Sequence, residues 1–199
     1  MQTDTKAEND VTAQLKARAS AAQRTARAKG LVKSRREQIL QETAAQLQRG
    51  EDLDQTVLPM LYRALAAERI VDASLGFIVT DQDSRTMKLG FIKGFPEEVV
   101  QRCLTLDFGQ AVCGTVAATG RAMHVTNIQQ SLDPLADLVR SAGMTAYACQ
   151  PLIVEGRMLG TLSFASRTRR SFEPDDLAFF RSIAQHVAVA RDRALPRKG

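Results

Sequence analysis

Large apolar residues are sparse over residues 1–50 and fall at helical or heptad intervals: Val11, Leu15, Leu31, Val32, Ile39, Leu40 and Leu47. Seven residues separate Val32 from Ile39 and Leu40 from Leu47. Between them lie Ala, Gln, Lys, Arg and Glu, good helix formers, with scattered Thr and Ser. No proline interrupts this run, and Gly50 ends it. The pattern predicts a helix with a weak seam, too polar to fold by itself, and leaves the first thirty residues open to disorder. Asp52 follows as a candidate helix cap, with Gln55 as its capping-box partner. Leu53, Val57, Met60, Leu61, Ala64 and Leu65 then recur at helical spacing. Pro59 within them predicts a kink or the true helix start.

From Ile70 the period changes. Leu75 to Thr80 reads as a buried strand, Asp81 to Ser84 as a turn, and Met87 to Phe95 as the second strand of a hairpin. Pro96 opens a short helix through about Arg102. Leu104 to Phe108 reads as a short strand stopped by Gly109, and Val112 to Thr119 as a small-residue helix ended by Gly120. Ala122 to Ile128 alternates loosely, as an edge strand does. Asp133-Pro134 begins another helix, which Gly143 closes. Ala146 to Val154 and Arg157 to Ser166, joined by Glu155-Gly156, form the clearest hairpin. Pro174 with Asp175 and Asp176 opens the last long helix, one face of which is traced by Leu177, Phe180, Ala184, Val187 and Arg191. Hairpins exclude an all-parallel sheet. The expected fold class is therefore α+β: a mostly antiparallel sheet of five or six strands. Long helices flank one face and short helices and loops the other, with an N-terminal helical arm.

Charge divides the chain. Residues 1–50 hold ten Lys/Arg and five Asp/Glu, whereas residues 51–199 hold seventeen of each. The whole net charge of +5 thus belongs to the first quarter. This basic arm lacks aromatics and any recognised nucleic-acid-reading motif, so a solvated or coiled-coil face is the expectation. Arg167, Arg169 and Arg170 form a second small cluster, read as exposed. Hydrophobic residues make up 44% of the chain, enough for a real core built mostly of Leu, Val, Ile and Ala. No run reaches the ~20 apolar residues of a membrane span, and residues 1–10 lack an apolar signal core. Three cysteines argue against a disulfide framework. A cytoplasmic location is the expectation.

The run Phe108-Gly109-Gln110-Ala111-Val112-Cys113-Gly114-Thr115-Val116-Ala117-Ala118-Thr119-Gly120 resembles the signature of GAF domains. Pro151 to Leu162 is similar to that family's second element, and Phe172-Glu173-Pro174-Asp175-Asp176-Leu177 to its approach to the last helix. The likeness spans about residues 35–194 and is strongest to GAF domains beside bacterial sensor histidine kinases, hence two-component systems. It implies a six-stranded antiparallel sheet and a pocket between the sheet and the loops containing Phe108–Gly120 and Asp133–Ala146. It also implies a homodimer through the first and last helices. The expected organisation is an arm over residues 1–34 and a sensory domain over residues 35–199. No kinase, cyclase or DNA-binding domain follows, so output is expected from a separate signalling partner unless the chain is a fragment.

These residues bear on several chemistries. Cys103 and Cys113 are ten residues apart, as in the GAF-fold free methionine-R-sulfoxide reductases, where one thiolate attacks sulfur and a second thiol resolves the intermediate. That resemblance also requires a cysteine in the loop before Pro151. Here the loop reads Asp133-Pro134-Leu135-Ala136-Asp137-Leu138-Val139-Arg140, without one. The reductase's acidic pocket positions correspond to Tyr147, Ser163 and Ala165. Cys113 and Cys149 read first as small buried hydrophobes; a redox or haem-ligating role is kept for Cys113 alone. His124 and His186 have no adjacent cysteine, so bilin is not expected, nor is haem, and no metal-ligand spacing exists. No phosphate-cradling glycine loop is present, although Arg140 has the chemistry to hold an anion. The expectation is a non-enzymatic module that senses an unknown small molecule and passes pocket occupancy to its dimer helices. Its expected pocket residues are Phe108, Cys113, Asp137, Arg140, Tyr147 and Ser163. The alternatives are the reductase and a ligand-free dimerisation scaffold.

Overall fold

The computed structural model describes the backbone of residues 4–81 and 83–195, and the side chains of Lys16 and of residues 18–79 and 83–195. The seam positions Val11 and Leu15, the turn residue Gln82 and the tail 196–199 lie outside those described residues. The chain divides into two units, Met1–Gln41 and Glu42–Gly199. The first unit is helical from Asp4. It belongs to helix α1 (Asp4–Gln48), which no proline interrupts and which Gly30 does not break. Leu31 and Val32 stand 65% and 52% exposed, so the arm's apolar positions at this point do not form a core.

In the second unit, Gly50 leaves the helix in the left-handed region at φ +74°. The apolar stripe from Leu53 to Leu65 is divided at Pro59, one of the two outcomes its sequence predicts. Asp52 Oδ1 accepts the Gln55 N–H at 2.7 Å and caps a π turn, Leu53–Val57, and helix α2 (Leu58–Ala67) starts after it. Pro59 explains the division. It occupies the second position of α2, where a missing N–H costs no helical hydrogen bond.

The remaining elements follow the expected order. They are β1 (Ala73–Asp81), β2 (Thr86–Lys93), α3 (Glu97–Arg102), β3 (Thr105–Asp107), α4 (Ala111–Thr119) and β4 (Met123–Val125). Two 3-10 turns, Ile128–Gln130 and Pro134–Ala136, lead to α5 (Asp137–Ser141), β5 (Ala146–Val154), β6 (Arg157–Ser166) and α6 (Pro174–Ala194). The six strands form one antiparallel sheet in the order β3-β2-β1-β6-β5-β4. Glu155 and Gly156, at φ +49° and +77°, place both central residues of the β5–β6 turn in the left-handed region, which suits the strands' own twist. Gly160 is dictated by close approach: a Cβ there would meet the Phe77 carbonyl oxygen on β1 at 2.0 Å.

Strand alternation assigns the two faces. Phe164 stacks on Phe180 of α6 with ring centroids 4.1 Å apart, and Phe172 meets Phe180 edge-on at 5.0 Å. Gly76 leaves the space into which Leu162 and Leu58 of α2 reach, so α2 and α6 cover one face. Burying a phenylalanine contributes about 1.5–3 kcal/mol. The other face carries Leu75, Phe77, Tyr147, Cys149 and Ala165 beneath Val99 of α3, Val112, Cys113 and Val116 of α4, and Val139 of α5. Asp72 ties the edge of this layer: its Oδ2 accepts the Ser166 hydroxyl and the Arg167 N–H, each at 2.7 Å.

The arginine cluster is not uniformly exposed. Arg169 is half-buried, with Nη1 3.0 Å from Oδ2 of the buried Asp176, which also accepts the Glu173 N–H in the capping box of α6. The chain packs Arg169 inward because Asp176, drawn below the surface by the cap, needs a cation.

Candidate functional site

The Phe108–Gly120 run builds the approach to α4. Gln110 Oε1 accepts the Asp107 N–H at 3.1 Å, and the Gly114 N–H donates to the Gln110 carbonyl at 2.9 Å. A Cβ on Gly114 would meet the Asp107 carbonyl oxygen at 2.3 Å, so glycine lets the first turn of α4 lie against the end of β3. That placement carries Cys113 over the sheet.

There it meets three side chains. Cys113 Sγ lies 3.0 Å from Tyr147 Oη, 3.4 Å from Ser163 Oγ and 3.9 Å from Cys149 Sγ, whose thiol donates toward it. The sheet explains the convergence. Tyr147 and Cys149 are two apart on β5 and share a face, and Cys149 is directly paired with Ser163 on β6. Thr161, two residues before Ser163 on the same face, is fully buried. Its hydroxyl lies near enough to favour both thiolates, yet has no partner in hydrogen-bonding geometry.

The electrostatics separate the thiols. Hydrogen bonding from Cys149, opposed by burial and helped by Ser163, Tyr147 and Thr161, lowers Cys113 to about 7. Burial, then Cys113 itself, pushes Cys149 well up, and likewise Tyr147. Burial raises Cys103 to about 11, with the charge of Cys113 adding and Arg102 opposing. The cluster therefore favours a single thiolate, on Cys113. Such a group can act as a nucleophile or accept hydrogen bonds from a ligand.

The free space beside it is small. A cavity of about 10 Å³ lies among Leu75, Phe77, Val112, Cys113, Val139 and Tyr147, with Phe95, Ala111 and Leu138 at its half-buried rim. That is room for roughly one water.

Cys113, Tyr147 and Ser163 are thus brought together. Phe108 is half-buried against the same core, with the Arg85 guanidinium over its ring at 5.0 Å. Asp137 and Arg140 are placed elsewhere. They form an ion pair with each other on α5, and Arg140 Nη1 donates to the Ser131 carbonyl at 2.6 Å, while their neighbours Leu138 and Val139 line the cavity. Cys149 and Thr161 join the site without having been expected there. The period-two rule applied to Tyr147 and Ser163 is the signal that points to them. Both histidines are exposed; His186 Nδ1 donates to the Ser182 carbonyl at 2.8 Å. Among the described residues, no group of three or more His, Cys, Asp or Glu is placed to hold a metal ion. Nor is any described helix long and apolar enough to cross a membrane.

Known proteins share this architecture. The GAF domain of a phosphoenolpyruvate-protein phosphotransferase from Coxiella burnetii superposes with a TM-score of 0.67 at 22% identity, covering 81% of this chain and 95% of that one. Free methionine-R-sulfoxide reductase from Neisseria meningitidis, in complex with its substrate, superposes with a TM-score of 0.63 at 20% identity, covering 80% and 92%. At these identities the likeness is one of fold. Protein YtsP of Bacillus subtilis is 24% identical over 115 residues, which is 58% of this chain and 66% of that protein. The family model for the GAF domain matches residues 55–192, well over half of the sequence, and the chain belongs to the GAF domain family.

Proposed function

We propose that this chain is a non-enzymatic sensory module whose small-molecule pocket lies between the sheet and helices α4 and α5. The observation that carries this reading is the polar cluster of Cys113, Tyr147, Ser163 and Thr161 inside an otherwise apolar shell. Buried polar groups without a full set of partners cost stability, and a ligand offering donors and acceptors would complete them. The cavity's small volume makes this the closed form. A ligand larger than a water must bind an arrangement in which α4 and α5 stand further from the sheet, and binding shifts the population toward it. Native mass spectrometry of protein purified from its own host tests this. A retained small molecule, lost in Tyr147→Phe or Ser163→Ala, is the expected result. An empty protein favours the scaffold reading.

The working unit is proposed to be a homodimer in the cytoplasm that signals to a separate partner, as in a two-component system. A groove of about 260 Å³ between Ala44 and Leu47 near the end of α1 and His186, Val189 and Ala190 of α6 supports the terminal helices as the interface. Light scattering should give a dimer for the full chain and a shift toward monomer for Val189→Glu.

The reductase reading rests on Cys103 and Cys113 and on the fold shared with the Neisseria enzyme. Against it stands the 133–140 loop, which supplies Asp137 and Arg140 paired with each other and no sulfur. Incubation with free methionine-R-sulfoxide, thioredoxin and NADPH should give no turnover.

A further inference from the structure

We propose that Cys113 and Cys149 form a peroxide-oxidised thiol pair, closing to an intramolecular disulfide that links α4 to β5. The inference is independent of the ligand reading and uses a different pair from the Cys103–Cys113 pair of the reductase resemblance.

Adjacency comes first. The two sulfurs are 3.9 Å apart although 36 residues separate them, and the Cys149 thiol already points at Cys113. A disulfide bond is about 2.05 Å long, so closing it needs a further approach of the two sulfurs, by side-chain rotation and a small shift of α4. Activation comes second. Tyr147 Oη and Ser163 Oγ lie within hydrogen-bonding reach of Cys113 Sγ. These donors stabilise a thiolate on Cys113, and its lowered pKa agrees with that. Access comes third. The cavity beside Cys113 has room for roughly one water. It reaches the half-buried rim at Phe95, Ala111 and Leu138. A small neutral oxidant of the size of hydrogen peroxide suits such a space, whereas a bulky disulfide such as oxidised glutathione does not.

The chemistry balances without a cofactor. The Cys113 thiolate attacks one oxygen of hydrogen peroxide, the O–O bond breaks, and hydroxide leaves to become water with the proton that Cys113 gave up. Cys113 is then a sulfenic acid. Cys149 sulfur attacks the Cys113 sulfur, the S–O bond breaks, and the hydroxyl departs as water with the Cys149 proton. Two thiols have lost two electrons and two protons in all, and one peroxide has become two waters. A thiol reductant reverses the change.

The test treats the full chain with hydrogen peroxide, then denatures, alkylates and maps the peptides by mass spectrometry. A Cys113–Cys149 cross-link in wild type, retained in Cys103→Ser and removed by dithiothreitol, is expected. In Cys149→Ser the cross-link should vanish and a dimedone-trappable sulfenic acid should accumulate on Cys113. A cross-link that instead contains Cys103, or full alkylation of both thiols under conditions that oxidise free cysteine, overturns the proposal. So does a folded Cys149→Ser protein without the Cys113 adduct. Should that variant not fold, the wild-type and Cys103→Ser maps decide the matter alone.

Discussion

Arg191 Nη2 lies 2.6 Å from Asp54 Oδ1, joining the last turns of α6 to the π turn ahead of α2 across 137 residues of sequence. Arg191 is buried and Asp54 mostly so. Removing either partner leaves the other's charge without its match, and the cost is greater when the charge left behind is the more deeply buried one, here Arg191. Asp54→Ala should therefore destabilise the protein by about 2 kcal/mol and Arg191→Met by less. Urea midpoints of the two variants check this ordering.

Asp72 accepts from Ser166 and from the Arg167 backbone. Burial would raise its pKa, but those hydrogen bonds and the Arg167 charge outweigh burial and lower it below the ordinary 3.8. The unfolded chain then takes up the proton first as pH falls. The contribution is present above the unfolded value and lost as pH drops below it toward the folded one. Wild type should lose stability below about pH 4 more steeply than Asp72→Asn, as denaturant midpoints at several pH values would show.

Gly160 and Gly109 make a controlled comparison. A Cβ at Gly160 would press on the Phe77 carbonyl at 2.0 Å, whereas Gly109, at φ +90°, faces open space. Gly160→Ala should cost about 3 kcal/mol or prevent folding, through displacement of β6 from β1. Gly109→Ala should cost only the backbone strain, about 1–2 kcal/mol. Thermal melts distinguish the two.

Cys113 has its folded pKa lowered from 9.0 to about 7. Between those values the unfolded chain binds more protons than the native one, so this group's contribution to stability grows as pH rises from about 7 to 9 and is lost as pH falls through 7. Thiolate absorbance in the ultraviolet should show one group titrating near 7, absent in Cys113→Ser. Tyr147→Phe, which removes a hydroxyl 3.0 Å from the sulfur, should move that midpoint upward.

Element order was largely readable from local chemistry. Pro96, Gly120, Gly143, Gly156 and Pro174 act on their own backbone within a turn, and each marks a boundary that the structure retains. The π turn at Leu53–Val57 was not readable, because Asp52 and Pro59 impose competing helix starts on one apolar stripe. For the site, Cys113, Tyr147 and Ser163 followed from the family resemblance. Asp137 and Arg140 sit on a helix of five residues, where one step of rotation separates the cavity-lining Leu138 and Val139 from the outward ion pair. A short helix has too little periodicity to fix that rotation in advance.

By itself, the sequence determined the antiparallel α+β class, the hairpins, the caps and the concentration of positive charge in the first quarter, since these depend on residues close together in the chain. Only the tertiary structure decided that Cys149 faces Cys113, that Thr161 is buried without a partner and that Arg169 turns inward to Asp176. The reason is physical. Those relations are set by the β5–β6 register and by the seating of α4 and α6 on the sheet. A shift of one residue in that register would reverse which side chains meet.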